Sequence, residues 1–130
     1  MTYNPLSVDE KVIIQNRVRA NQALNLCIIM MVSDRDIHDR ELGRLYQFLK
    51  EEKLFFDLVV SDEDLLERIS SIQLERANLT LEELVKKYSK VKNIKNRALI
   101  FDLLDKVMIA DGIFHEKEEG MIRLLKEFWS

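Results

Sequence analysis

One spacing constrains this chain more than any other. Asp34, His38, Glu41 and Gly43 recur 77 positions later as Asp111, His115, Glu118 and Gly120, so the pattern D-x3-H-x2-E-x-G stands twice. Around these identities the pairs Val32/Ile109, Ile37/Phe114, Asp39/Glu116, Arg40/Lys117, Leu45/Ile122 and Phe48/Leu125 keep their chemical character. Each copy follows an apolar run and leads into an amphipathic one. Self-similarity at one fixed offset across a helix, a turn and a second helix is the mark of a duplicated unit. Two related helical hairpins about a pseudo-twofold axis are therefore expected, with both histidines of the chain in the same slot.

The rest of the composition agrees. Only 3 Gly and 1 Pro interrupt 130 residues, which leaves little material for turns and favours helices with short connections. An apolar share of 47% beside 33% charged residues suits a chain with a core and excludes a disordered tail. At this length one core suffices, so we read a single all-α domain over 1–130, a compact bundle of six or seven helices.

Ser7-Val8-Asp9-Glu10 has the form of a capping box and sets a helix start near Val8. The apolar residues thicken towards Val32, so the second half of this stretch is expected to be central and buried. The polar step Asn21-Gln22 either splits the stretch into two helices or lies on one long helix running from an exposed rim into the core. Leu42, Leu45, Phe48 and Leu49 line one face of a helix over about 39–52. Ser61 and Thr80 each stand three residues before a carboxylate, Asp64 and Glu83, and open two more helices. Ala98 to Ile109 forms a strongly apolar helix stopped by Asp111-Gly112, and Met121, Ile122, Leu124, Leu125 and Phe128 mark the last one.

Several classes of function fall away. The net charge of -3 and pI near 5.5 oppose a specific nucleic-acid binder, which needs a positive field. The longest apolar run, Leu26–Val32, has seven residues, against the roughly 18 a transmembrane helix requires. The lone Cys27 lies inside that run, so it builds neither a disulfide framework nor a cysteine metal knuckle. With no secretory signal at the start, a cytoplasmic location is expected. No glycine-rich phosphate loop or nucleophile elbow appears, so the chain is not read as an enzyme. A di-metal carboxylate enzyme would need Glu-x-x-His pairs, and here the order is reversed in His38-x-x-Glu41 and His115-x-x-Glu118.

The second turn, Ala110-Asp111-Gly112-Ile113-Phe114-His115-Glu116-Lys117-Glu118, has the glycine and final glutamate of an EF-hand loop. The first and third ligand places, however, fall on Val107 and Ile109, and on Met30 and Val32 in the first copy, where hydrocarbon replaces oxygen donors. An EF-hand is rejected. Through Ala110, Asp111, Gly112, Phe114 and Glu118 the segment resembles the tellurite-resistance TerB-like family, with its A-D-G-x-hydrophobic-x-x-x-E turns. The first copy, Ser33 to Glu41, keeps Asp34, Ile37 and Glu41 of that pattern. The resemblance implies an all-helical domain with an acidic cluster near the pseudo-symmetry axis. It further implies a stress-response role in a bacterium as an interaction module, with possible divalent-metal binding and no established catalytic step. Arg35 and the two histidines depart from the family's pattern.

Two readings of the repeated residues stand side by side. Asp34, His38, Glu41, Asp111, His115 and Glu118 can converge on a divalent ion, since carboxylate and imidazole suit Zn, Mn or Fe. Alternatively each turn caps its own helix, with His115 at the N-cap and Glu118 reaching back to free amides.

The stretch Lys86 to Arg97 carries six positive charges and no negative one. It suits phosphate or peripheral contact with an anionic membrane, or else it places cations at a helix C-terminus and solvates a linker. The acidic residues Asp57, Asp62, Glu63, Asp64 and Glu67 can complement it between subunits of a homodimer or towards a protein partner. Phe128-Trp129 is expected to dock and anchor the last helix, with a dimer contact as the alternative.

Overall fold

The computed structural model describes residues 8–33, 39–51, 55, 58, 60–90, 94–108 and 115–129. These are 89% helical and contain no strand. Six helices follow one another: α1 (Val8–Met31), α2 (Asp39–Glu51), α3 (Asp62–Asn78), α4 (Leu81–Tyr88), α5 (Ile94–Met108) and α6 (His115–Phe128). The all-α bundle expected from the sequence is what forms.

The helix starts follow their local chemistry. Ser61 Oγ accepts from the amide of Asp64 at 3.1 Å, and Thr80 and Glu83 close a full capping box, each side chain bonded to the other's backbone amide. Ser7, the expected cap of α1, and the Asp111-Gly112 stop after α5 lie outside the described residues.

Asn21-Gln22 does not divide α1, which runs unbroken for 24 residues. Asn21 and Asn25, one turn apart, both accept from Arg68 Nη1 of α3, at 2.9 and 3.4 Å, so the polar step is a docking seam inside one helix. Beyond Ala20 the helix sinks into the core, and Leu26 to Val32 are all at most 1% exposed. α1 packs against α3, α4, α5 and α6. A segment enclosed on so many sides has no use for a polar face, which explains the seven-residue apolar run.

The offset of the repeat returns in the helix ends. α1 ends at Met31 and α5 at Met108, while α2 ends at Glu51 and α6 at Phe128, each pair 77 positions apart. α1 meets α5, and the first helix of each hairpin packs on the second helix of the other, α1 on α6 and α5 on α2. α5 also packs on α6 within its own hairpin. Ala23 and Cys27 of α1 are buried at the places taken by Ile100 and Leu104 in α5.

The second helices depart from the repeat. α2 turns Leu42, Leu45, Tyr46 and Leu49 to the core, and α6 turns Met121, Leu124, Leu125 and Phe128, which match at a shift of 79. Under the motif's own shift of 77, Met121, Leu124 and Phe128 correspond to Arg44, Gln47 and Glu51. Those three form a hydrogen-bonded ladder, Arg44 Nη1 to Gln47 Oε1 at 2.9 Å and Gln47 Nε2 to Glu51 Oε1 at 3.1 Å. Two residues along a helix rotate a side chain by about 200°. The pairing Leu45/Ile122 thus sets a buried residue against a half-buried one that lies off the core cluster.

Candidate functional site

The two repeated segments stand in the chain between α1, which ends at Met31, and α2, which starts at Asp39, and between α5, which ends at Met108, and α6, which starts at His115. Asp34, His38 and Asp111 lie outside the described residues. Glu41 is the third residue of α2, His115 opens α6 and Glu118 follows within its first turn, and their side chains also lie outside the description. Elsewhere, among the described residues, no cluster of three or more His, Cys, Asp or Glu side chains is placed to hold a metal ion.

What the structure does show at the first turn is the clamp behind it. Arg76, 9% exposed near the end of α3, donates from Nε and Nη2 to the carbonyl of Ser33, at 3.3 and 3.0 Å. Its Nη1 donates to the carbonyl of Leu79 at 2.9 Å. A guanidinium at the carbonyl end of α1 meets the negative pole of that helix, so the buried charge is matched by backbone dipoles. Sequence reasoning missed this residue. Its signal was faint: Arg68 and Arg76 stand eight apart on one face of α3, both turned towards α1.

A second polar seam joins α3 to α4. The carboxylate of Glu75 accepts from Lys87 Nζ at 2.6 Å and from the Tyr88 hydroxyl at 2.6 Å. Partial burial works to raise the Glu75 pKa, but the hydrogen bonds from Lys87 and Tyr88 and the charge of Lys87 outweigh it and hold the group below its ordinary value. Burial and the bond to Glu75 push the Tyr88 phenol up to about 12.

The described cations of the basic stretch stand in different settings. Lys86 and Lys87 lie in the last turn of α4, where cations favour the helix dipole, and Lys87 is tied to Glu75. Lys90 is exposed, 91–93 lie outside the described residues, and the side chain of Lys95 does too. Arg97 sits over the indole of Trp129, 5.4 Å from its centroid. On the acidic side, Asp62, Glu63 and Asp64 form the exposed first turn of α3, with Glu67 exposed one turn on, and Asp57 lies outside the described residues.

Phe128-Trp129 docks as expected. Trp129 Nε1 donates to the carbonyl of Ser89 at 2.7 Å, and its ring meets Phe101 edge-on at 5.2 Å. The last helix is thereby pinned to the connection after α4 and to α5. Beside this anchor Arg97, Ala98, Phe101, Lys126 and Trp129 line an open cleft of about 370 Å³.

At the opposite extreme of burial is the first half of α1. Val12, Ile13, Ile14 and Val18 are 46%, 37%, 45% and 52% exposed. None of the described helices is long and apolar enough to cross a membrane.

No family model, curated protein or solved structure matches the chain.

Proposed function

We propose that this chain is a non-catalytic helical interaction module of the TerB-like kind, serving a bacterial stress or envelope process, and that it associates through the amino-terminal half of α1. The sequence pattern around Asp34 and Asp111, and the helix ends that repeat its spacing, support the family reading. The observation that carries the docking element is the exposure of Val12, Ile13, Ile14 and Val18.

Three of these residues are consecutive, so at 100° per residue they project in three directions. Apolar side chains exposed in several directions on one helix are covered when a partner lies against it, and this half stands beyond the core that encloses the other. The occupant is a second copy. Asp9 and Glu10 precede the four apolar residues, while Arg17 and Arg19 flank the last of them, Val18. Antiparallel pairing sets the acidic start of one helix beside the arginines of the other, twice over, as an isologous contact requires. The four side chains offer a few hundred Å² at most, below the roughly 800 Å² per partner of a stable interface, so the pair is weak and reversible.

Sedimentation velocity over a wide concentration range tests this. The weight-average mass should rise above 15.4 kDa as concentration increases, and Ile14→Asp with Val18→Asp should hold it at the monomer value. A chain that stays at 15.4 kDa at every concentration overturns the homotypic reading.

A further inference from the structure

We infer that the cleft between α5 and the end of α6 binds a small anionic amphiphile, an acid group carried on an apolar body. This site is distinct from the amino-terminal half of α1 and does not depend on the reading above.

The argument starts from the anchor. Trp129 is the only tryptophan of the chain, and three contacts fix its position: the bond to Ser89, the edge-on ring of Phe101 and the guanidinium of Arg97. Arg97 Nη1 also approaches the Trp129 carbonyl at 3.5 Å. Ala98, an exposed small residue, leaves the space between these groups open. The result is an apolar floor of Phe101 and Trp129 with a fixed cation at one side and the exposed Lys126 at the other.

Small-molecule sites combine an apolar lining with a few placed polar groups, in clefts of roughly 300–1,000 Å³. At about 370 Å³ this cleft lies at the small end, which selects a ligand of modest size. Among the described residues the charged groups that line it, Arg97 and Lys126, are both cations, so the head group is an anion. The neighbouring depression, lined by Glu119, Ile122, Arg123 and Lys126, extends the positive rim along α6 through Arg123. Glu119 closes that extension with the opposite sign, which confines the head group to the Lys126 end.

Lys126 supplies the anion contact and Arg97 the standing field. Phe101 and Trp129 supply the surface on which the apolar body lies. An inorganic anion has no body to bury and should bind weakly. An uncharged amphiphile of equal length has no head to pair and should bind weakly as well.

The emission of Trp129 reports directly on occupancy. Laurate, kept below its micelle concentration, should change that emission saturably, and dodecanol and inorganic phosphate should not at the same concentrations. Lys126→Glu should weaken laurate binding at least tenfold, and Ala98→Phe, which fills the cleft from an exposed position, should abolish it. Both variants alter exposed residues, and an unchanged melting curve confirms that each is folded. Ile14→Asp, which alters only the exposed half of α1, should bind laurate as the parent does. Equal laurate binding by the parent, Lys126→Glu and Ala98→Phe overturns the proposal. So does loss of binding in Ile14→Asp alone, because the laurate is then on α1, and so does a parent chain that gives no saturable change.

Discussion

Arg76 holds the carbonyl of Ser33 with two nitrogens and that of Leu79 with a third, so one buried guanidinium ties the end of α1 to the connection between α3 and α4. Hydrogen bonds from a charged donor contribute about 1.5–3 kcal/mol, and removing the donor leaves two carbonyls to find other partners. Arg76→Met, which keeps an apolar stem of similar reach, should cost about 2–3 kcal/mol in urea unfolding followed by circular dichroism. Arg76→Lys should recover less than half of that, because one ammonium cannot replace a planar fork that serves both carbonyls. A loss under about 0.5 kcal/mol for the methionine variant would show that the clamp does not hold the turn.

Gly43 and Gly120 occupy matching slots of the repeat, yet an added Cβ at either would meet nothing within 4 Å. Neither position is therefore reserved for glycine by a close approach. Inside a helix, glycine costs about 0.5–1 kcal/mol relative to alanine. Gly43→Ala and Gly120→Ala should each stabilise the chain by about that amount, and together by their sum, since they lie on different helices. A destabilised variant would mean that the glycine serves a contact formed only on association.

These two cases also show where the sequence was legible. Thr80 and Glu83 announce their capping box from residue type and spacing alone, because both partners belong to one turn of one helix. The burial of Leu26 to Val32 is as plain, since no polar residue interrupts the run. Arg76 and Arg68 were illegible for the opposite reason. Their partners, Ser33 in one case and Asn21 and Asn25 in the other, lie more than 40 residues away, and on sequence a buried arginine looks like any surface charge. The repeat misled in one respect. Its motif spacing suggests equivalent second helices, whereas the ladder of Arg44, Gln47 and Glu51 marks as outer face in α2 what α6 buries.

The seam of Glu75, Lys87 and Tyr88 gives stability two pH-dependent edges. The folded-state pKa of Glu75 lies below that of the unfolded chain, so its contribution is complete above the ordinary value of 4.5 and is lost as pH falls through the lower folded value. Tyr88 behaves in the opposite direction. Its folded pKa of about 12 exceeds the ordinary 10, so its contribution is complete below pH 10 and is lost as pH rises towards 12. Glu75→Gln should flatten the acid limb of a stability-against-pH curve relative to the parent, and Tyr88→Phe the alkaline limb. Parallel curves for parent and variant on either limb would remove the corresponding assignment.

Cys27 tests the burial of α1 from the inside. The side chain is 1% exposed, and burial pushes its thiol up to about 12, so almost no thiolate is present at pH 8 and no reagent can reach it. Labelling by a disulfide reagent in native buffer should therefore wait for an opening of the core, and its rate should follow the unfolding free energy measured in urea. Arg76→Met provides the internal check. Losing the clamp at Ser33 should speed labelling by the factor its measured destabilisation predicts, about tenfold for each 1.4 kcal/mol. A parent chain labelled fully within the mixing time would place Cys27 at the surface. A methionine variant destabilised in urea but labelled at the parental rate would show that α1 opens independently of the turn Arg76 holds.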